Sequence, residues 1–141
     1  MQTFLPHPDF TESAKCLDYR RLGKQRVECI QLLNALRGET SAWANHPACK
    51  MWRGHEYALA EYGVVICQEW RRRGYRDTCM DKLIRIRDQY CDNGFPSWFG
   101  NKAFHASHRS NLLRKDPTHY RAFGWSEPPT LEYVWPIPVL K

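Results

Sequence analysis

The feature that most constrains the fold is a long N-terminal stretch whose apolar residues recur at helical spacing. These residues are Leu17, Val27, Ile30, Leu33 and Leu36, and residues three or four positions apart share one face of a helix. Asp9 followed by Glu12 resembles a capping box, Thr11 is a rival N-cap, and Gly38 suits a helix end. The pattern predicts one long helix from about Thr11 to Leu36.

Three further helices are predicted, from Pro47 to about Arg73, from Asp77 to Cys91, and from Asn101 to Arg114. From Gly124 onward the chain is rich in residues that suit an extended tail over the helices. These are Trp125, Pro128, Pro129, Tyr133, Trp135, Pro136 and Pro138. Neither an internal repeat nor strand alternation is visible. We therefore expect an all-α protein, with a single compact helical domain over residues 1–141 and an extended C-terminal tail rich in proline and aromatic residues.

The charge balance narrows the range of partners. The 141 residues carry a formal net charge of +6 at pH 7, which suits a phosphate backbone, an anionic membrane surface or an acidic protein. No apolar run approaches the roughly 20 residues that span a bilayer. The N-terminus also lacks the basic flank and apolar core of a signal peptide. We therefore expect no membrane partner and a cytoplasmic location, with association to the nucleoid in a bacterium.

The six cysteines do not follow a metal-binding or disulfide pattern. No two of them have the C-x-x-C spacing, and at least three fall in predicted helices, where cysteine is usually a small buried apolar residue. Free thiols are therefore expected. Although His105 and His108 share a helix, no carboxylate completes an obvious ligand set with them. We expect neither a metal nor another cofactor.

The first predicted helix carries a cluster of basic residues. Arg20 and Lys24 are four positions apart and Arg21 is close by, with Asp18 and Gln25 beside them. Arginine forks and lysine ammonium groups suit phosphate oxygens. The alternative is a solvated face whose cations pair with Asp18 and Glu28. Gly23 lies inside the helix at a cost of about 1 kcal/mol relative to alanine, which indicates close approach of a ligand or backbone, tight packing, or a kink.

Several stretches, in order along the chain, carry a resemblance to a known family. They are residues 3–10, 13–15 and 17–28, Asn45-His46-Pro47 with Met51-Trp52, Arg73-Gly74-Tyr75, residues 105–120, and Tyr133-Val134-Trp135-Pro136. This set of motifs resembles the pyrimidine dimer DNA glycosylase family, which is related to phage endonuclease V. The match is stronger to the cellular branch of the family than to the phage enzyme. It covers nearly the whole chain.

The resemblance implies an all-helical DNA glycosylase that is also an abasic-site lyase and needs no cofactor. In that mechanism the N-terminal α-amine attacks the anomeric carbon of the deoxyribose, the base leaves, an imine forms, and β-elimination nicks the strand. Part of an α-amine is free base at neutral pH, so it can serve as a nucleophile. A nearby carboxylate would stabilise the cationic sugar and assist the proton transfers.

Two positions depart from the phage enzyme's pattern. The phage motif has a glutamate directly after the Tyr-Arg pair, whereas Tyr19-Arg20 is followed by Arg21. We therefore consider three acid/base candidates, which are Asp18, Glu28 and His46. The phage enzyme also exposes a small second residue, where this chain has Gln2. The amine could belong to Met1, which a bulky second residue usually leaves in place, to Gln2, or to Lys24.

Nucleic-acid contacts are expected on two helices. The first helix offers Arg20, Arg21, Lys24 and Arg26, and the fourth offers His105, His108 and Arg109. The resemblance implies double-stranded DNA as the partner, and no obligate protein partner is evident. Two rival functions remain open. One is a non-catalytic nucleic-acid-binding protein of the same fold, and the other is an enzyme on another nucleic-acid or nucleotide substrate that uses Asp18 and His46.

Overall fold

The computed structural model describes residues 1–136, and within that range all regular secondary structure is helical. The seven α-helices are α1 (Phe10–Cys16), α2 (Tyr19–Leu36), α3 (Pro47–Lys50), α4 (Glu56–Arg72), α5 (Met80–Arg87), α6 (Lys102–Lys115) and α7 (Pro117–Tyr120), and a 3-10 turn over Arg121–Phe123 follows. The predicted all-α fold class is confirmed. Residues 125–136 form no helix, and Pro138 of the predicted tail lies outside the described residues.

The predicted first helix is in fact two helices, α1 and α2, separated at Leu17 and Asp18. Leu17 has extended backbone with ψ of 137°, and Asp18 is the N-cap of α2, where its carboxylate accepts a hydrogen bond from the Arg21 N–H. The Tyr120 hydroxyl also donates to Asp18 Oδ1 at 2.5 Å. The single-helix prediction was wrong because an aspartate favours capping a new helix over continuing an old one.

Two other predicted helices differ in length from the observed ones. The stretch from Pro47 to Arg73 forms α3 and α4, with a turn at Gly54, whose φ is +87°. Helix α5 is shorter than predicted at both ends, since it begins after its N-cap Cys79 and ends at Arg87. The Asp77 carboxylate accepts from the N–H groups of Cys79 and Met80 and so stabilises the turn that leads into the helix. The fourth prediction is confirmed, since α6 begins after its N-cap Asn101.

Helix α4 lies at the centre of the fold, packed against α1, α2 and α5. The fully buried aliphatic side chains of this core include Leu22, Leu32, Leu33, Leu59, Ile66 and Leu83. Burying one such side chain contributes roughly 1.5–3 kcal/mol. Among residues 1–136, no helix is both long and apolar enough to cross a bilayer.

Close packing between α2 and α4 explains the glycine inside α2. A Cβ on Gly23 would lie 2.9 Å from Cη2 of Trp70. The Trp70 indole is held by its hydrogen bond to the Arg76 carbonyl at 2.8 Å and by the Tyr19 ring stacked on it at 5.3 Å. Of the explanations considered for this glycine, tight packing is therefore the correct one.

The N-terminal segment, residues 1–5, has no regular secondary structure and is held by hydrogen bonds from several parts of the fold. Phe4 N–H donates to Gln25 Oε1, and Leu5 N–H donates to His108 Nδ1, each at 2.9 Å. The indole N–H of Trp52 donates to Thr3 Oγ1 at 3.0 Å. The partners come from α2, α6 and the turn after α3, so folding of the whole bundle fixes the start of the chain.

Candidate active site

A cavity of about 320 Å³ opens where the N-terminal segment meets α2. Its walls are formed by Met1, Gln2, Phe4, Arg20, Arg21, Lys24, Glu28, Lys115 and Tyr133. Six of these nine residues are sequence-predicted site residues. The structure thus brings together the first residue, a carboxylate and several cations that are far apart in the chain.

Glu28 is the carboxylate of this cavity. Its side chain is buried, and burial raises its pKa, an effect that Lys24, the N-terminal charge and the Gln2 N–H oppose in that order. Met1 lines the same cavity as Glu28. A buried carboxylate next to an amine and a lysine can hold or accept a proton at this point.

The position of the amine is set by the residues that follow it. The Gln2 carbonyl accepts a hydrogen bond from Gln25 Nε2 at 2.9 Å, and its side-chain Oε1 accepts from Thr3 N–H at the same distance. Gln2 is buried, whereas Met1 is only half-buried. The Met1 amine is therefore attached to a fixed backbone and has access to the cavity.

Four cations surround the amine and the carboxylate. Arg20 and Lys24 are exposed on α2, and Arg21 is half-buried beside them. Lys115, at the end of α6, is the fourth. Burial lowers the pKa of Lys115, and the charges of Arg21, Arg114 and Lys24 lower it further. Such a concentration of positive charge suits an anionic substrate.

Three lining residues, Phe4, Lys115 and Tyr133, were not foreseen as site residues, although all three lie in stretches that carry the family resemblance. Lys115 comes from the run before Pro117, and Tyr133 comes from the C-terminal segment. Burial raises the pKa of Tyr133 to about 12, against the charges of Arg114 and Arg21. Its hydroxyl is therefore protonated at neutral pH. Only the three-dimensional fold brings these residues to α2.

Asp18 does not line the cavity, and its carboxylate caps the N-terminus of α2. Its carboxylate accepts from the Tyr120 hydroxyl and from the Arg21 guanidinium at 3.2 Å. Burial raises the pKa of Asp18, and the hydrogen bond from Tyr120 together with the charge of Arg21 outweighs that effect, so the net shift is downward. The geometry assigns Asp18 a structural task in joining α2 to α7.

His46 lies near the amine but does not line the cavity. It is the N-cap of α3, and its Nδ1 accepts the Ala48 N–H at 3.0 Å. Burial lowers the pKa of His46, and the positive N-terminus lowers it further. In the neutral ring the proton must then be on Nε2, because Nδ1 is an acceptor. In this tautomer His46 can donate a hydrogen bond from Nε2, and neither ring nitrogen is available to accept a proton from a substrate.

Four residues predicted to contact DNA are used inside the fold. Arg26 pairs with Asp77 at 2.7 Å and lies over the Trp70 ring. Arg109 pairs with Glu127 and donates to the Pro6 carbonyl, both at 2.8 Å.

The other two residues predicted to contact DNA are His105 and His108, and both are buried. His105 Nε2 accepts the Gly100 N–H, so its Nδ1 carries the proton and donates to the Leu5 carbonyl at 2.8 Å. Burial lowers the pKa of His108 to about 3, which keeps it neutral as the acceptor for Leu5 N–H. The expectation of DNA contacts at these four residues is corrected to a role in holding the N-terminal segment and α2.

Metal ligation is not evident in the part of the chain that the structure describes, where no three His, Cys, Asp or Glu side chains lie close enough to share an ion. All six cysteines are free, and only Cys91 is exposed. The residues that line the cavity offer an amine, a carboxylate, several cations and a tyrosine hydroxyl.

A helical scaffold whose cation-lined cavity holds a buried carboxylate beside the first residue belongs to the class of proteins suited to bind an anionic substrate. The comparisons specify this class further. The model of the pyrimidine dimer DNA glycosylase family matches residues 1–83, and the chain belongs to that family. The matched range contains every cavity residue except Lys115 and Tyr133. Neither the curated proteins nor the solved structures gave a match.

Proposed function

We propose that the protein removes damaged or modified pyrimidines from duplex DNA and then nicks the strand at the abasic site, through an imine with the Met1 amine. The observation that carries the proposal is the shared cavity of Met1 and Glu28, with four cations around it. Family membership supports the glycosylase activity. The lyase step, the choice of amine and the preference for duplex DNA are the proposed part.

In the first step the Met1 nitrogen forms a bond to C1′ of the deoxyribose, and the glycosidic bond breaks with its electron pair leaving on the base. The amine loses a proton to the Glu28 carboxylate as the new bond forms. The C1′–O4′ bond then opens to give the imine, and O4′ takes up that proton. Burial of Glu28 supports the first part of this cycle, because a raised pKa makes the carboxylate a better acceptor for the proton of the amine.

In the second step a base removes a proton from C2′, and the C3′–O3′ bond breaks with its electrons leaving on the phosphate oxygen. Glu28 is the carboxylate available for the proton. Hydrolysis of the imine then releases the sugar aldehyde and restores the amine. Arg20, Lys24 and Lys115 are suited to hold the phosphates on either side of the reacting sugar.

The chemistry needs the target sugar to be accessible, which in duplex DNA requires the nucleotide to be displaced or the helix to be bent. The neutral His46 is suited to donate a hydrogen bond from Nε2 to a substrate oxygen near the amine, because its Nδ1 is bound to Ala48. Under this proposal His46 orients the substrate and does not transfer a proton.

Borohydride trapping tests the proposal directly, since reduction fixes the imine as a stable covalent bond. Duplexes with an abasic site or a pyrimidine lesion are incubated with the protein and borohydride, and the adduct is digested and mapped by mass spectrometry. We expect the label on Met1, and intact mass will show that Met1 is retained. An adduct on Lys24 or Lys115 would replace Met1 as the nucleophile.

Two carboxylate variants form the matched comparison. Glu28→Gln should lower the trapping rate by about 10²–10⁴-fold while DNA affinity stays within a few-fold of the original. Asp18→Asn should trap at nearly the original rate, because Asp18 lies outside the cavity lining. Normal DNA binding with neither adduct nor base release would instead identify a non-catalytic nucleic-acid-binding protein. Loss of turnover in Asp18→Asn alone would favour the rival chemistry of Asp18 and His46.

A further inference from the structure

Trp43 has a backbone conformation that its side chain disfavours. Its φ is +66°, and it is the one non-glycine residue with positive φ among residues 1–136. A bulky residue in this region is unusual, and the surrounding structure has to offset the backbone strain. Glycine or asparagine would adopt this conformation with little strain.

The backbone of Trp43 makes a hydrogen bond that the fold needs, whereas its indole makes few contacts. The Trp43 carbonyl accepts the His46 N–H at 2.9 Å, which closes the turn that leads into α3. Any residue provides that carbonyl. Trp43 is 44% exposed, and its ring makes an edge contact with His46, with 5.7 Å between the ring centroids. A strained residue with an exposed aromatic ring points to a task outside folding.

The indole lies beside the candidate active site. The indole contacts His46, whose pKa is lowered by burial and then by the N-terminal charge. His46 also makes an edge contact with Trp135, with 5.8 Å between the ring centroids. Trp135 in turn lies 5.5 Å from Tyr133, which lines the cavity that holds Met1 and Glu28. Two aromatic rings, those of His46 and Trp135, therefore connect Trp43 to a side chain that lines the cavity.

The charge around Trp43 suits a nucleic acid. Its neighbour Asn45 lines a second cavity, of about 370 Å³, together with Lys50, Arg53 and Trp98. Basic side chains also line the cavity that holds Met1, among them Arg20 and Lys24. A phosphate chain that passes from one cavity to the other would thus meet positive charge in both.

We infer that Trp43 stacks on the nucleobase next to the reacting nucleotide and replaces the stacking partner that this base loses when the DNA opens at the lesion. An exposed indole offers a π-face to any base, so the contact is independent of sequence. The inference deepens the proposed function, on which it rests for the identity of the substrate.

The test uses a duplex with a tetrahydrofuran abasic analogue, which has no aldehyde and cannot form an imine. 2-Aminopurine replaces the base on either side of the analogue, and its fluorescence reports stacking. Trp43→Gly and Trp43→Asn remove the indole and tolerate positive φ, whereas Trp43→Phe keeps an aromatic ring. Phe95→Ala is the matched control, because Phe95 is 58% exposed and its ring contacts Phe10 and Phe99.

We expect Trp43→Gly and Trp43→Asn to melt at the original temperature or above it, to bind the analogue about tenfold more weakly, and to lose the quenching of 2-aminopurine. Trp43→Phe should retain most of both signals, and Phe95→Ala all of them. Unchanged affinity and quenching in Trp43→Gly would overturn the inference, as would an equal loss in Phe95→Ala or a lower melting temperature in both indole-free variants. Failure of borohydride trapping on true abasic sites would count against the proposed chemistry alone, because binding to the analogue is read separately.

Discussion

The carboxamide of Gln25 binds the backbone of Phe4 in the same way that a neighbouring strand would. Its Oε1 accepts the Phe4 N–H at 2.9 Å, and its Nε2 donates to the Gln2 carbonyl two residues earlier, also at 2.9 Å. Gln25 is fully buried on α2. One side chain therefore sets the register of the N-terminal segment against the helix that carries Glu28.

Replacing Gln25 by leucine should affect stability and chemistry together. It leaves two buried backbone groups without partners, and each lost partner costs about 1–3 kcal/mol. It also releases the amine, and a displacement of about 1 Å can lower a rate by about 100-fold. We expect a lower free energy of unfolding in urea and a lower trapping rate.

Gln25→Glu is the matched variant for that prediction. A glutamate can still accept the Phe4 N–H, but its carboxylate cannot donate to the Gln2 carbonyl. The two variants thus remove different parts of the contact. Trapping at the original rate in both of them would show that the register of this segment does not control the amine.

Gly23→Ala should destabilise the protein although alanine favours helices. The new Cβ would lie 2.9 Å from the Trp70 ring, which Tyr19 and Arg76 hold in place. Overpacking of this kind costs about 1–3 kcal/mol, against a gain of about 1 kcal/mol in helix propensity. We expect a net loss of about 1 kcal/mol in urea unfolding, and a gain in stability would contradict the packing explanation.

His108 should make the fold sensitive to acid. Its pKa falls from 6.5 to about 3 on burial, so below pH 6.5 the unfolded chain takes up a proton that the folded chain does not. Stability should therefore fall as the pH drops from 6.5 towards 3, by about 1.4 kcal/mol per pH unit for this residue.

His108→Asn should remove that part of the acid sensitivity. The asparagine Oδ1 can accept the Leu5 N–H in place of the imidazole nitrogen. Urea unfolding between pH 7 and pH 4 measures the free energy for both proteins. We expect the variant's curve to fall less steeply with pH, whereas parallel curves would mean that His108 is not the residue responsible.

Glu28→Gln should stabilise the protein at neutral pH while it removes activity. Burial raises the pKa of Glu28 above its ordinary 4.5, so the folded state holds its charged form at a penalty. That penalty is present above the raised pKa and disappears as the pH falls below 4.5. The melting temperature of the variant should exceed the original at pH 7, and the difference should shrink at pH 4.

Glu69→Gln is a control variant for which we expect the opposite change in melting temperature. Hydrogen bonds from Arg72 hold the pKa of Glu69 below its ordinary value, with Arg73 adding to the effect against desolvation. Charged Glu69 therefore stabilises the fold above pH 4.5, and this contribution is lost as the pH falls through the lowered pKa. Its variant should melt below the original at pH 7. A shift in the same direction for both variants would contradict the assigned environments.

The helical fold could be predicted because apolar spacing and capping residues are local properties of the sequence. The break between α1 and α2 could not, because Asp18 is held by Tyr120, 102 residues later in the chain. The spacing of apolar residues around Asp18 does not show that a distant residue will bind its carboxylate. The sequence alone therefore predicts where helices form better than where they are interrupted.

The candidate site was predictable to the extent that it lies on one helix. The spacing of Arg20, Arg21 and Lys24 was enough to place them together. Spacing could not tell that Arg26 faces away, because that depends on Asp77 and Trp70. The contribution of Lys115 was missed for the same reason, since the end of α6 meets α2 only in the folded chain.

The contacts between Leu5 and α6 have a consequence for the timing of activity. Leu5 is bound by His105 and His108, which lie 100 and 103 residues further along the chain. The ribosome makes the N-terminus first, so a nascent chain has its amine long before it has these partners. Under the proposed chemistry the emerging protein is inert, and its ability to cut DNA begins only when synthesis has passed α6.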